Sequence, residues 1–332
     1  MLRLPPFQYH RPSTVEEALE LLDTHRGDAM PVAGGTDLIP NMKHRLFTPG
    51  HLVALKGIEA LRGIRREADE LAIGAGVTLA SLAADRRVRR HVPSLAQAAG
   101  NVAGPQLRSA GTVGGNLCLD TRCTYYNQSA FWRRSLGYCL KKDGDRCHVT
   151  RVGKVCVAAH SADTPPVFMT LDARVDLAGP DGRRTLPVRD FFLPDGEWNT
   201  RRAPEELVTR IRIPLRDRAR LRTGYAKLRQ RRSIDFPLLT VAVASEVDRE
   251  ERVVWIRGVV TGLGARPREL TGWDEIAEGE KLDEDVVAAL AERAGAQCHP
   301  LENMIVDADW RKAMVPLYVR KAVEAMRDDG EG

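Results

Sequence analysis

Five of the chain's six cysteines, Cys118, Cys123, Cys139, Cys147 and Cys156, fall within 39 residues, while Cys298 stands alone. A reducing cytosol disfavours structural disulfides, so thiols gathered this closely point to metal or redox chemistry. Cys123, Cys139, Cys147 and Cys156 are separated by fifteen, seven and eight residues. No pair has the CxxC spacing of zinc ribbons or small ferredoxins, but wide intervals suit a loop wrapped around a compact cluster. On residue chemistry alone three readings stay open: an iron-sulfur cluster, a zinc ion, or buried inert thiols. Tyr125, Tyr126, Phe131, Trp132 and Tyr138 supply five of the 18 aromatics, and such packing would shield a cluster from solvent. Arg133, Arg134, Lys141, Lys142, Arg146, Arg151 and Lys154 face only Asp143 and Asp145 in this stretch, a local +5 that would offset thiolates on iron and sulfide. Cys118 could replace a ligand or pack as a small apolar residue, and Cys298 is expected in the core.

A second chemistry comes from paired glycines. Gly34-Gly35-Thr36 follows the apolar run Met30 to Ala33, and Asp37-Leu38-Ile39 opens a new turn or helix. Gly111-Thr112-Val113-Gly114-Gly115-Asn116 forms a similar loop far along the chain. Glycines at a strand end let backbone amides approach an anion, with a helix start adding its positive end, and pyrophosphate is the usual guest. Either loop alone reads as a tight turn; together they favour a phosphate site. Gly74-Ala75-Gly76 and Gly262-Leu263-Gly264 both lack the third glycine of GxGxxG, which excludes an ordinary Rossmann site.

These loops need elements to hold them. Ser13-Thr14-Val15-Glu16 has capping-box spacing before a helix over about 14–24. Met30 to Ala33, His51 to Leu55, Leu71 to Ile73 and Arg174 to Ala178 read as strands, and Thr78 and Ser94 as caps of helices through Ala84 and Ala99. Pro166 to Leu171 reads as helical or buried, and Pro180-Asp181-Gly182 as a turn. Leu238 to Val247 and Val253 to Thr261 read as antiparallel strands, followed by helical patterns over about 283–297 and 307–327. The length of 332 residues suits two or three domains. Outside the cysteine stretch the charges balance, which excludes a broad nucleic-acid surface and leaves one local region for an anionic partner. No window approaches the ~18 apolar residues of a membrane span, and Met1 to Pro12 lacks a secretory apolar run, so a cytoplasmic protein is expected.

The motifs resemble the FAD-binding medium subunits of the molybdenum hydroxylases, whose relatives include xanthine dehydrogenase and carbon monoxide dehydrogenase. Val32-Ala33-Gly34-Gly35-Thr36-Asp37-Leu38 looks like the first FAD pyrophosphate loop and Thr112-Val113-Gly114-Gly115-Asn116-Leu117 like the second. Most members pass almost directly into a stretch matched here by Ser161-Ala162-Asp163-Thr164-Pro165-Pro166; here roughly 40 residues intervene, and they hold the four cysteines. That insertion is similar to one branch, the beta subunit of 4-hydroxybenzoyl-CoA reductase, through Asp120 to Ser129, Gly137 to Lys141 and Asp145 to Val149.

The resemblance implies an α+β chain: a two-subdomain, PCMH-type FAD-binding domain over 1–180 with an iron-sulfur insertion at about 120–160, a connecting segment over 181–220, and an antiparallel-sheet plus helices domain over 221–332. It implies FAD contacts from Pro31, Val32, Ala33, Gly34, Gly35, Thr36 and Asp37, and from Thr112, Val113, Gly114, Gly115 and Asn116. The amides of Ala33 to Asp37 and Thr112 to Asn116 would hold the pyrophosphate. Val102 would lie against the cofactor, Asp163 would hydrogen-bond its hydroxyls, and Lys227, in a segment with Asp235-Phe236-Pro237, would approach it. Cys123, Cys139, Cys147 and Cys156 would ligate a [4Fe-4S] cluster. No catalytic residue is expected, and His148 and His160 receive no role. The implied partners are a large molybdenum-cofactor subunit and a small subunit with two [2Fe-2S] clusters, in a dimer of heterotrimers, with ferredoxin as electron donor and neither nucleic acid nor membrane. An oxidising hydroxylase complex and a flavoprotein with a zinc-stabilised docking loop are the rival readings.

Overall fold

A computed structural model describes residues 2–150, 153–217 and 220–328; Arg151, one of the seven basic residues above, lies outside them. The chain opens on a small parallel sheet, β1 (Gln8–His10), β2 (Ala29–Val32) and β3 (His51–Ala54), in the order β1-β3-β2. The helix Val15–Thr24 crosses between β1 and β2, burying Val15, Ala18 and Leu22. Its capping box is shifted by one residue from the expected Ser13–Glu16 spacing. Thr14 is the N-cap, its hydroxyl accepting from the Glu17 amide at 3.1 Å, while the Ser13 amide donates to the Glu17 carboxylate at 2.7 Å.

The second unit is an antiparallel five-stranded sheet of β4 (Ile64–Glu67), β5 (Glu70–Gly74), β6 (Arg174–Gly179), β7 (Gly182–Pro187) and β8 (Leu207–Pro214), ordered β4-β5-β8-β6-β7. The stretch 181–220, expected to connect domains, instead contributes β7 and β8. β8 lies centrally and alternates buried Ile211 and Ile213 with arginines, so it belongs to this sheet's core. Between β5 and β6 run short helices, Leu79–Ala84, Arg86–His91, Pro93–Gly100, Pro105–Ala110 and Val113–Leu117. Thr78 caps the first through the Ser81 amide, as its position predicts. Ser94 caps nothing: Pro93, whose fixed φ suits the first helical position, starts that helix one residue earlier, and Ser94 is buried.

The C-terminal unit is the antiparallel sheet β12-β11-β10-β9, from β9 (Leu221–Leu228), β10 (Leu239–Val247), β11 (Val253–Thr261) and β12 (Arg268–Leu270). The helices Glu284–Gln297 and Ala308–Asp328 share its apolar core, which includes Cys298. Residues Tyr225, Ala242, Ala244 and Val259 from this sheet join the core of the second unit, so the two sheets are packed together. Among the described residues no helix is long and apolar enough to cross a membrane.

Candidate functional site

The two glycine loops meet. Gly34 follows β2 and rests against the end of the helix Pro105–Ala110, so close that a Cβ there would lie 2.1 Å from the Ala110 carbonyl oxygen. Gly114 is pressed against Ala75 in the same way, at 2.7 Å from its Cβ. These two glycines therefore serve backbone packing, while Gly35, with φ of 68°, makes the turn into the helix Leu38–Lys43. Thr112 caps the helix Val113–Leu117 by accepting from the Gly115 amide at 3.1 Å.

Where the loops meet, a cleft of about 1190 Å³ opens, large enough for a dinucleotide cofactor. Pro31, Val32, Ala33, Gly34, Gly35, Thr36 and Asp37 line it from one side, Thr112, Gly114, Gly115 and Asn116 from the other, with Val102 and Asp163 also on its wall. Two expected contacts do not reach it. Val113 is fully buried in the core, turned inward by its place in the helix. Lys227 stands behind the wall, its side chain 2% exposed, with Nζ donating to the Asp163 carboxylate and to the Asn101 carbonyl, each at 3.0 Å.

Asp163 is a buried charge on the wall of the cleft. It also accepts from the Tyr225 hydroxyl at 2.6 Å. Burial pushes its carboxyl up, opposed by Lys227 and Tyr225, and burial likewise pushes the Lys227 ammonium down. Next to it the Asn116 side-chain carbonyl accepts from the Thr164 amide at 3.1 Å and its hydroxyl at 2.6 Å, pinning the 163–164 turn to the second glycine loop. His160 is completely buried, its two ring nitrogens have no hydrogen-bond partner, and burial pushes it down to about 3, so it is a neutral core residue.

The cysteine insertion closes at its neck, where Arg122 and Ala159 exchange backbone hydrogen bonds of 2.8 and 2.6 Å. Beyond the neck, Cys123, Cys139, Cys147 and Cys156 all face one small cavity, together with Tyr125, Tyr126, Lys141 and His148. All are free thiols. Burial raises Cys123 and pushes Cys156 up to about 12; Cys147, though burial opposes it, is lowered by hydrogen bonds from Thr150 and neighbouring amides. Cys118 lines the larger cleft instead, so it does not join the set of four. The aromatic shield is smaller than expected. Tyr125 and Tyr126 line the cavity, but Phe131 is 81% exposed and Trp132 lies at the surface, because the helix Ala130–Leu136 turns that face outward. Of the basic residues, Arg133 is buried, donating to the carbonyls of His44 and Arg45, and Lys141 is buried beside Asp120 at 2.7 Å.

Tyr126 and Lys141 border both spaces, the cleft and the thiol cavity. The Lys141 ammonium sits 4.7 Å from the Tyr126 ring centre, and the Tyr126 hydroxyl donates to Asp120 at 2.9 Å. Sequence reasoning missed this shared wall. It also missed Arg122, which lines the cleft, pairs with Asp37 and stacks on Phe236 at 4.4 Å. Its position beside Cys123 was the one available signal.

The donor sets fit the implied groups: a glycine-walled cleft of dinucleotide size, and four free thiols converging on a separate cavity. Residues 5–216 match the family model of the FAD binding domain in molybdopterin dehydrogenase, and residues 224–326 match the CO dehydrogenase flavoprotein C-terminal domain. The chain is 31% identical over 326 residues to the carbon monoxide dehydrogenase medium chain of Hydrogenophaga pseudoflava, covering 97% of both. It is 32% identical over 295 residues to an aldehyde oxidoreductase FAD-binding subunit of Escherichia coli K12, covering 86% of this chain and 90% of that one. A solved structure of carbon monoxide dehydrogenase from Hydrogenophaga pseudoflava superposes with a TM-score of 0.80 at 29% identity, covering 98% of this chain and 99% of that one.

Proposed function

This chain belongs to the FAD-binding medium subunits of molybdenum hydroxylase-type oxidoreductases, and we propose that it carries a [4Fe-4S] cluster beside its FAD and serves as the electron-transfer subunit of a 4-hydroxybenzoyl-CoA reductase-like complex. The observation that carries this reading is the convergence of Cys123, Cys139, Cys147 and Cys156 on one cavity that shares a wall with the flavin cleft.

The chain's own contribution is holding and tuning. Backbone from the two glycine loops would bind the pyrophosphate, and Asp163, fixed by Tyr225 and Lys227, would accept from the cofactor's hydroxyls. The four thiolates would ligate the cluster, and FAD and cluster supply one-electron chemistry when bound. Lys141 places a positive charge against the thiol cavity, and Tyr126 excludes water from the wall between the two spaces. The proposed partners are a large molybdenum subunit, a small [2Fe-2S] subunit and ferredoxin; the exposed Arg134, Arg146 and Lys154 of the cysteine insertion offer positive charge to an acidic donor. The protein is proposed to work in the cytoplasm.

The similarity to a carbon monoxide dehydrogenase chain and an aldehyde oxidoreductase chain favours a second reading, an oxidising complex in which electrons leave through this subunit. Anaerobic iron, acid-labile sulfide and flavin analysis tests the cofactors, with EPR of the dithionite-reduced chain. About four irons with one FAD and a reduced-cluster signal are expected; one zinc and no such signal would refute the cluster. Turnover of the purified complex with reduced ferredoxin against an oxidising acceptor separates the two directions.

A further inference from the structure

We propose that His10, His25 and His51 form a binding site for one borderline transition-metal ion, Zn²⁺ being the probe of choice, remote in purpose from the flavin and thiol sites. Among the described residues this is the one group of three histidine, cysteine or carboxylate side chains whose ligand atoms all lie within 4.8 Å of one another. The three come from different elements: His10 ends β1, His25 follows the helix Val15–Thr24, and His51 begins β3. His10 Nε2 stands 2.9 Å from His51 Nδ1. Two imidazole nitrogens at that distance share one proton, and a cation can take that proton's place between the two lone pairs. Zn–N bonds of about 2.0–2.1 Å put tetrahedral nitrogens roughly 3.3 Å apart, so this pair is within half an ångström of ligand spacing.

His25 supplies the third ligand. Its ring is stacked on His51, with centroids 3.6 Å apart and planes at 10°, so it must turn about its side-chain torsions to aim a nitrogen at the ion. One of its nitrogens already lies within 4.8 Å of the ligand nitrogens of His10 and His51. The backbone is already tied: the Asp28 amide donates to the His25 carbonyl and the His51 amide to the Asp28 carbonyl, both at 3.0 Å. The Asp28 carboxylate accepts from the Gly50 amide at 2.7 Å, fixing the chain before His51. Three imidazoles without a thiolate or carboxylate select zinc, nickel or copper over magnesium and calcium. All three rings are partly exposed, which leaves a side open for water as fourth ligand. A bound ion would clip β1, β3 and the end of the first helix together, and it would stabilise the folded state by mass action.

The test uses the full chain with FAD, reconstituted anaerobically in the thiol cavity and cleared of loose metal with a chelator. Zn²⁺ is titrated by calorimetry and by thermal melting, in wild type, His51→Ala, and the gentler His25→Gln and His10→Gln. Expected are one low-micromolar equivalent and a rise in Tm of roughly 5 °C at hundredfold excess over Kd. Both are lost in the variants, with FAD and iron content unchanged. Equal Zn²⁺ uptake by wild type and variants, or uptake only at millimolar concentration, would overturn the site. If His51→Ala fails to fold, the two glutamine variants decide the matter alone. Because the readout is histidine-dependent, it is independent of whether the thiol cavity holds iron.

Discussion

Gly34→Ala is the sharpest probe of how the FAD cleft is built. Gly34 has an ordinary φ, so alanine meets no torsional objection. The obstacle is space: the new Cβ would lie 2.1 Å from the Ala110 oxygen, 2.5 Å from its carbonyl carbon and 2.9 Å from Gly111 Cα. All three are backbone atoms and cannot rotate away, so one loop must retreat by about 1 Å before contact is tolerable. Overpacking of this kind costs about 3 kcal/mol. If the retreat separates the two loops that hold the pyrophosphate, the same energy appears as a more than hundredfold loss of FAD affinity. The assay is FAD per purified chain, and Kd from flavin fluorescence on re-adding FAD. Gly264→Ala, which meets no atom within 4 Å, is the control and should bind as wild type. A Gly34→Ala protein that keeps FAD with unchanged Kd would show that the loops do not need their close contact.

Cys→Ser changes at Cys123, Cys139, Cys147 or Cys156 should each abolish or degrade the iron and sulfide content, while Cys298→Ala, in the C-terminal core, should leave it intact. Lys227→Met leaves the Asp163 carboxylate buried without its cation and should cost about 3 kcal/mol by denaturant unfolding at pH 8. Because burial raises the Asp163 carboxyl, its folded form holds a proton more readily than its unfolded one; the variant should therefore recover stability as pH falls and lose it as pH rises. His160 runs the opposite way: its folded value is lowered from 6.5 to about 3, so its contribution is present above pH 6.5 and drops by about 2 kcal/mol on acidification to pH 5. His160→Gln should flatten that acid limb in a pH series of melts. Lys141→Met removes the buried charge beside the thiol cavity and should shift the cluster midpoint in an EPR redox titration negative by on the order of 50 mV; an unmoved midpoint would deny Lys141 its tuning role.

Much of the site was legible because it is local. Paired glycines after an apolar run, a threonine cap and four cysteines are short-range patterns, and the structure places the two loops on one cleft and the four thiols on one cavity. What escaped is long-range. Nothing in the spacing says that Gly34 must fit beneath Ala110, or that Tyr126 and Lys141 stand between two spaces. The arginine-rich alternation of β8 resembles a polar linker until Glu67, Glu70 and Asp176 are seen to pair with Arg210 and Arg212 across the sheet. Lys227 was expected at the cofactor because its segment matched; burial places it one layer behind, acting through Asp163.

The neck of the cysteine insertion explains how the flavin cleft tolerates it. Arg122 and Ala159 pair across the base, so the chain leaves and returns at one point, and Asn116 on one side of the insertion still bonds Thr164 on the other. Closing a loop of this length is cheap, since closure entropy grows only with the logarithm of length. Ordering what lies beyond the neck is not, at about 1–2 kcal/mol per residue. The apolar core available there is small: Leu46, Tyr126 and Cys139, with Phe47 and Cys123 partly buried against them. Hydrogen bonds from Arg133 to the His44 and Arg45 carbonyls, from Thr124 to the Asn303 carbonyl and from the Asn303 side chain to the Val157 carbonyl tie the periphery but leave the centre to the four thiols. The proposed cluster would supply the missing central contacts, which would make the insertion's order and its cofactor one property. On that proposal, removing iron with a chelator should raise proteolysis and amide hydrogen exchange beyond Arg122 and Ala159 while the glycine loops and their FAD stay in place.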